Sequence, residues 1–73
     1  MNKEPRQIKM EKVASDLKKQ RAKHGLTVRE LAEKIDTNKS TLSRVENGRN
    51  CSAKALNNIL VWLKSLGVNI DKY

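Results

Sequence analysis

The stretch GLTVRELAEKIDTNKSTLSRVENG, residues 25–48, determines how this chain folds. It contains two short segments in which apolar residues recur at helical spacing, separated by the polar residues Asp36, Thr37 and Asn38. A single helix of about eight residues with two apolar anchors is unstable in water. Two such helices stabilise each other when they cross over a shared core. The stretch therefore predicts two packed helices joined by a tight turn.

Capping residues indicate where these two helices begin and end. Thr27 and Glu30 form a T-x-x-E capping box, which predicts a helix over residues 28–35. Asn38 is a suitable cap for a second helix over residues 39–46, and a glycine follows to end it. Two short helices in this order are typical of the helix-turn-helix unit, whose second helix enters the major groove of DNA.

The rest of the chain adds two longer helical patterns. Residues 1–9 are polar and basic, and we expect them to form a flexible N-terminal tail. One helix is predicted from Met10 to a stop at Gly25, and another over residues 53–66. Residues 10–73 are therefore predicted to form a single all-α domain of four helices.

The fourth helix has an apolar stripe that should face the core. We expect this stripe to consist of Leu56, Ile59, Leu60 and Leu63. Beyond the helix, residues 68–70 alternate between apolar and polar side chains, which permits a short C-terminal strand.

Size and charge limit the classes of partner. A chain of 73 residues suffices for one small domain. Its formal net charge of +8 favours a polyanion, either nucleic acid or an anionic membrane surface. The apolar stripes are all needed for the core, which argues against membrane binding. The basic residues of the first helix are interpreted mostly as a solvated face: Lys18, Lys19, Arg21 and Lys23.

The residues that support catalysis or metal binding are scarce. His24 is the only histidine, and Cys51, the only cysteine, has no base beside it in the sequence. We therefore expect no enzyme, no metal site, no cofactor and no small-molecule substrate. A lone cysteine excludes an internal disulfide, and the N-terminus lacks the apolar core of a signal peptide. The expected location is the cytoplasm.

The exposed side of residues 39–46 carries the candidate base-reading residues. In a docked helix-turn-helix, the first turn of the second helix points at base edges. Arg44 can hold guanine O6 and N7 with two hydrogen bonds, and Lys39 can donate to the same acceptors. We predict base contacts from these two residues and from Ser40 and Thr41. The alternative is a solvated basic face, and for Ser43 both interpretations stay open.

Other residues are placed to hold the phosphate backbone of DNA. Free backbone N–H groups at the start of a helix favour an anion, and polar side chains flanking the reading helix can clamp phosphates. Such contacts set register without reading sequence. The predicted phosphate contacts are Thr27, Val28, Asn38, Asn47, Arg49 and Asn50.

These motifs resemble the phage repressor and Cro (Xre-like) helix-turn-helix family. The resemblance rests on the Gly-Leu-Thr sequence after the first helix, on Glu-Leu-Ala in the second, and on the Ser-Thr-Leu-Ser and Glu-Asn-Gly sequences of the third. It implies a four-helix lambda-repressor-like fold that binds double-stranded DNA, and a bacterial or phage origin. It also implies base contacts from Lys39, Ser40 and Arg44, and phosphate contacts from the start of the second helix and from Asn47.

The chain departs from the family pattern at two positions. Val28 replaces a common glutamine, so a side-chain bond to phosphate is lost there and only the backbone N–H remains. Asp36 replaces the glycine that usually forms the turn. Aspartate tolerates left-handed geometry better than most residues, so we expect the turn to persist with some strain.

Apolar residues near the C-terminus suggest a twofold dimer. Many relatives dimerise through a fifth helix, whereas here apolar residues lie beside and after the fourth helix. Packing of Trp62 onto the monomer core is the alternative for that residue. The predicted C-terminal dimerisation segment consists of Val61, Trp62, Ser65, Val68 and Ile70.

The function most consistent with these features is sequence-specific transcription regulation, by a repressor more than by an activator. A dimer would place two reading helices roughly 34 Å apart on a near-palindromic operator. Two alternatives stay open: an antitoxin whose main task is to bind a toxin protein, and a controller protein of a restriction-modification system.

Overall fold

A computed structural model describes residues 8–73, and these residues form an all-α domain, as predicted. Residues 1–7 of the predicted tail lie outside the described part. The elements are α1 (Met10–Lys23), α2 (Val28–Lys34), α3 (Lys39–Glu46), α4 (Ala53–Ser65) and a final 3-10 turn (Ile70–Lys72). α1 packs against α3 and α4, and α2 packs against α3. None of these helices has the length and apolar character required to cross a bilayer.

The helices begin at the capping residues that the sequence indicates. At the start of α2, the Thr27 hydroxyl oxygen accepts a hydrogen bond from the Glu30 N–H at 3.0 Å. The Glu30 carboxylate in turn accepts one from the Thr27 N–H at 2.9 Å, which completes the capping box. Asn38 and Ser52 cap α3 and α4 in the same way, with one side-chain bond each.

All four helices end in the same backbone motif. The residue after each C-cap adopts a positive φ angle, and the next N–H bonds back to a carbonyl of the last turn. At the end of α2 the Thr37 N–H donates to the Ala32 carbonyl at 2.8 Å. Glycine takes the positive φ angle at three ends, but Asp36 takes it in the helix-turn-helix, with φ 59°. The expected left-handed turn at Asp36 is therefore present.

The core is a single apolar cluster to which every helix contributes. Its fully buried side chains are Val13 and Leu17 of α1, Leu31 of α2, Leu42 and Val45 of α3, and Ile59 and Leu63 of α4. Because α2 and α3 each contribute only a few side chains, their positions depend on α1 and α4 beneath them.

The buried stripe of α4 differs from the predicted one. Leu56 and Leu60 are only half-buried, while Ala55 and Trp62 are buried. Trp62 is 8% exposed, and its ring lies edge-on to the His24 ring with centroids 6.1 Å apart. Trp62 thus belongs to the monomer core, the alternative that the sequence left open.

The predicted C-terminal strand is wrong, because a 3-10 turn forms instead. The Asn69 side chain accepts a hydrogen bond from the Asp71 N–H at 3.0 Å, which bends the chain locally. The turn then docks on α1: the Tyr73 hydroxyl donates to Asp16 Oδ2 at 2.5 Å, and Lys72 Nζ lies 3.0 Å from the same oxygen. Val68 and Ile70 pack against the core cluster rather than pairing as a strand.

Candidate nucleic-acid interface

The third helix has a buried face and an exposed face that share no residue. Leu42, Val45 and Glu46 are buried. The exposed face consists of Lys39, Ser40, Ser43 and Arg44. Helical periodicity places Ser40 and Arg44 one turn apart on the side away from the core. The packing of α3 therefore leaves its polar side chains free to meet a ligand.

The exposed face continues into a groove at the end of the helix. The side chains that line it are Ser40, Ser43, Arg44, Asn47 and Arg49. The Arg49 N–H donates to the Arg44 carbonyl at 3.0 Å, as part of the motif that ends α3. This bond holds the backbone of one arginine against the helix that carries the other. Two guanidinium groups and two hydroxyl groups consequently line one concave surface.

The structure separates Thr41 from the other predicted base-reading residues. Thr41 is half-buried and lines a second groove, together with Asn38 and Ser52. Lys39 is exposed in the first turn but does not line the groove at the end of the helix. Ser43, which the sequence left open between base contact and plain exposure, lies in that groove.

The start of α2 has fewer free groups for a phosphate than the sequence suggests. Both the N–H and the hydroxyl oxygen of Thr27 are bonded to Glu30. Val28 is half-buried and packs against the core. Moreover, the Glu30 carboxylate lies at this helix end, where it would repel an approaching anion. At Thr27, the hydroxyl hydrogen is therefore the group available to a phosphate.

The flanking asparagines are each partly engaged within the protein. Asn38 Oδ1 accepts a hydrogen bond from the Thr41 N–H at 2.8 Å, and its amide nitrogen remains a donor. Asn47 Nδ2 donates to the Ser43 carbonyl at 3.0 Å, which orients its side chain along the helix. Arg49 and Asn50 are exposed in the loop that follows α3.

A buried ion pair anchors the end of α3 to α1. Glu46 is 9% exposed, and its two carboxylate oxygens lie 2.6 Å and 3.1 Å from Nε and Nη2 of Arg21. Arg21 Nη1 also donates to the Leu26 carbonyl at 2.9 Å, so one guanidinium joins α1, the turn before α2 and α3. The carboxylate of Glu46 raises the pKa of Arg21 further above its ordinary value.

The sequence interpretation of Arg21 as a solvated residue is therefore wrong. Its partner is 25 positions away, and only the crossing of α1 over α3 brings the two together. A weak signal was present, since Arg21 occurs one turn after Leu17, close to the apolar stripe of α1.

The turn between α2 and α3 is also fixed from below. Asn58 Nδ2 of α4 donates to the Asp36 carbonyl at 3.5 Å, a long bond. Asp36 is thus hydrogen-bonded to α4 as well as to the end of α2.

Other chemistry has little support in residues 8–73. Within that range no group of three His, Cys, Asp or Glu side chains is arranged to hold a metal ion. Cys51 is half-buried, and burial raises the pKa of its thiol, which lowers its reactivity at neutral pH.

Comparison with known families agrees with this geometry. The model of the Helix-turn-helix family matches residues 17–72, which is more than half of the chain and includes both helices of the motif. Neither the curated proteins nor the solved structures include a match to the chain. The chain therefore belongs to the Helix-turn-helix family, of the phage repressor and Cro (Xre-like) type, whose members are DNA-binding transcription regulators.

Proposed function

We propose that this protein is a transcriptional repressor that binds a near-palindromic operator as a homodimer, with α3 in the major groove. The observation that carries the proposal is the groove at the end of α3, where Arg44 and Arg49 lie together on the side opposite the core. An α-helix fits the major groove of B-DNA, and polar side chains on its outer face can then reach base edges.

Arg44 is the principal base-reading residue in this proposal. Its guanidinium can bond guanine O6 and N7 together, which no other base pair allows in the same geometry. Ser40 and Ser43 lie on the same exposed face and add less discriminating hydrogen bonds. Lys39 reaches a base edge or a phosphate from the first turn. Thr41, half-buried beside Asn38, has the weakest claim to a base contact.

Phosphate contacts are assigned to the residues that flank α3. Arg49 and Asn50 lie just beyond its end, Asn47 at the end itself and Asn38 at its start. At the start of α2 only the Thr27 hydroxyl and the Val28 backbone contribute, because the capping box occupies the other groups of Thr27. These contacts set the register of α3 and add no sequence preference.

The dimer interface is assigned to the outer side of α4. Val61 is 58% exposed, and it is the one large apolar side chain that residues 8–73 leave exposed. Ser65 lies one turn further along the same face and is also exposed. A twofold axis through this face would bring two equivalent α3 helices to one DNA molecule. Val68 and Ile70 contribute less, because they pack against their own core.

Repression then follows from occupancy of the operator. A dimer bound over a promoter excludes RNA polymerase, and this mechanism needs no catalytic group. A bacterial or phage gene product acting in the cytoplasm fits this role.

The test compares two arginine variants of the full chain. Arg44→Ala should cost about 1–3 kcal/mol of binding free energy and relax the preference at one base pair. Arg49→Ala should weaken binding to all sequences alike and reduce the slope of log K against log salt by about one unit. Selection of binding sites from random DNA, followed by titrations at several salt concentrations, measures both effects.

The outcome for Arg44 decides the proposal. An unchanged base preference in Arg44→Ala would show that α3 does not read DNA through this face. A loss confined to one operator sequence in Arg49→Ala would move that residue from phosphate contact to base reading.

The exposed apolar surface also supports a second candidate function, an antitoxin that covers a toxin protein. Val61 lies in a groove with Ile35 and the edge of Trp62, and a foreign apolar segment could occupy it. Light scattering on the purified protein separates the two functions. A stable dimer that buries Val61 favours the repressor, and a monomer that aggregates through this face favours the antitoxin.

A further inference from the structure

We propose that α1 carries a second DNA-binding face, which contacts the phosphate backbone of a DNA segment other than the operator. The face is the lysine stripe, defined as Lys12, Lys19 and Lys23. It goes beyond the proposed function because a repressor needs only α3 and its flanking residues to occupy an operator.

The lysine stripe is one of three faces of α1. The first face is buried and includes Val13 and Leu17. The second lines a groove beside the end of α3 and includes Lys18 and Ala22, with Lys19 at its border with the lysine stripe. The rest of the lysine stripe lies about a third of a turn further round the helix, on the side of the C-terminal 3-10 turn. A duplex held on the exposed face of α3 therefore leaves Lys12 and Lys23 uncovered.

The lysine stripe contains one acidic residue, and the fold neutralises it. Asp16 lies between Lys12 and Lys19 at helical spacing. Its carboxylate accepts the Tyr73 hydroxyl hydrogen and pairs with Lys72 Nζ at 3.0 Å. The docked turn thus places the Lys72 ammonium group beside Asp16, whose carboxylate would otherwise interrupt the positive charge of the stripe.

The three lysines remain available to a ligand. All three are exposed, and within residues 8–73 none of them forms an ion pair. By contrast, Arg21 of the same helix is committed to Glu46. Lys19 also helps to lower the pKa of the nearby Asp16 carboxyl group, but Lys72 is the residue that pairs with it. The lysine stripe therefore presents three ammonium groups that form no ion pair of their own.

The length of the stripe suits a DNA strand. Lys12 and Lys23 are eleven residues apart, which is about 16 Å along an α-helix. One strand of B-DNA carries one phosphate per about 3.4 Å of helix axis and also winds around that axis, so a straight stripe of this length reaches roughly two or three successive phosphates. Lysine is a point charge with three rotatable donors, which suits phosphates at variable spacing and provides no base discrimination. The expected binding is therefore independent of sequence and sensitive to salt.

A protein with two such faces would bridge two DNA segments. The exposed face of α3 would hold the operator, and the lysine stripe would hold a neighbouring stretch of any sequence. This bridging would hold neighbouring DNA segments close to each occupied operator.

The test is a capture experiment with the full chain. Operator DNA is fixed to beads, the protein is added, and retention of a fluorescent duplex that lacks the operator is measured over a range of salt concentrations. The double variant K12Q/K23Q removes two stripe charges that lie outside the groove beside the end of α3. The matched control K34Q/K64Q removes two exposed lysines from the last turns of α2 and α4, with the same change in net charge.

We expect K12Q/K23Q to lose capture of the second duplex, with its salt slope reduced by about two units, while operator affinity stays unchanged. The control should retain capture. Equal loss in both double variants would show that only net charge matters and would overturn the proposal, as would full capture by K12Q/K23Q. Failure of the operator-binding step in the unsubstituted protein would instead contradict the proposed function, so the two failures are distinct.

Discussion

Glu46 is the one charged residue that residues 8–73 bury, and Arg21 donates two hydrogen bonds to it. Removing both charges from water costs several kcal/mol, and a bidentate geometry is needed to offset that cost. The pair therefore adds little net stability by itself. Its role is to fix the end of α3 against α1, so that the exposed face of α3 has a defined direction.

Replacing one partner of the Arg21–Glu46 pair should lower the free energy of unfolding far more than replacing both. Arg21→Met leaves a buried carboxylate without a partner, and the expected loss is about 3 kcal/mol in the free energy of unfolding. A domain of this size has on the order of 5 kcal/mol in total. The double variant R21M/E46L removes both charges and should recover most of the loss. Urea unfolding of the unsubstituted protein, Arg21→Met, Glu46→Leu and the double variant, followed by circular dichroism, measures the coupling.

A simple sum of the two single losses in the double variant would contradict this account. The control Lys18→Met changes charge and size in a similar way at an exposed position of α1 and should leave stability almost unaffected.

Asp36 is a second residue whose backbone conformation leads to a prediction. Its φ angle of 59° is unfavourable for a residue with a Cβ atom, although less so for aspartate than for most. Asp36→Gly should therefore be more stable than Asp36→Ala by about 1 kcal/mol, with the unsubstituted protein between them. Chemical denaturation measures the order. An alanine variant as stable as the glycine variant would mean that the turn relaxes without strain.

At the scale of elements, the helices could be predicted because their ends are encoded locally. The Thr27 and Glu30 capping box and the Asn38 and Ser52 caps act within four residues, so spacing alone identifies them. The exposed polar face of α3 follows from the same helical periodicity, which places Ser40 and Arg44 together. The fold and this exposed face were therefore accessible from the sequence.

Features that depend on pairing between elements could not be predicted. The Arg21–Glu46 pair requires the crossing of α1 and α3, and the burial of Trp62 depends on which side of α4 meets α1. The predicted C-terminal strand was wrong because the Asn69 side chain accepts a hydrogen bond from the Asp71 N–H and the chain turns there. Three residues of alternating polarity carry too little information to distinguish a strand from such a turn. The separation of Thr41 from the groove likewise depends on where α4 lies.

The docked C-terminal turn should depend on pH. The hydrogen bond from Tyr73, and the charge of Lys72, lower the pKa of Asp16 below its ordinary value of 3.8. Because the pKa of Asp16 is lowered in the folded state, the contact stabilises the docked turn at pH values above the ordinary pKa. The stabilisation is lost as pH falls through the folded-state pKa. The turn should therefore release below about pH 4.

Hydrogen exchange of the Asp71 amide against pH measures this release. Tyr73→Phe removes the hydroxyl hydrogen but keeps the ring, so the pKa of Asp16 should rise towards its ordinary value and the release should shift to higher pH. Burial and the Asp16 carboxylate together raise the pKa of Tyr73, so the turn should stay docked in mildly alkaline solution. Acid release at the same pH in Tyr73→Phe would contradict the role given to the hydroxyl.

At the scale of the whole molecule, the proposed dimer makes affinity for an operator depend on joining two chains. Val61→Asp places a charge on the exposed apolar position of α4 and should yield a monomer. Loss of the second reading helix should weaken binding to a two-half-site operator by about a hundredfold, since the two contacts no longer reinforce each other. Binding to a single half-site should be unchanged. Light scattering and titrations with both DNA forms measure the two effects.

Ser15→Asp serves as the control, because it makes the same charge change at an exposed position of α1. Equal losses in both variants would show that net charge, rather than dimerisation, accounts for the effect.

The division of α3 into two faces has a consequence for how this protein could change over time. Leu42, Val45 and Glu46 hold the helix in place, whereas Ser40 and Arg44 are exposed. Substitutions at exposed positions usually change stability by less than about 0.5 kcal/mol. In the proposed binding mode, a new operator preference can therefore arise by single substitutions, each of which leaves a folded protein. The residues that maintain the fold and those proposed to select the DNA sequence are thus different residues of one eight-residue helix.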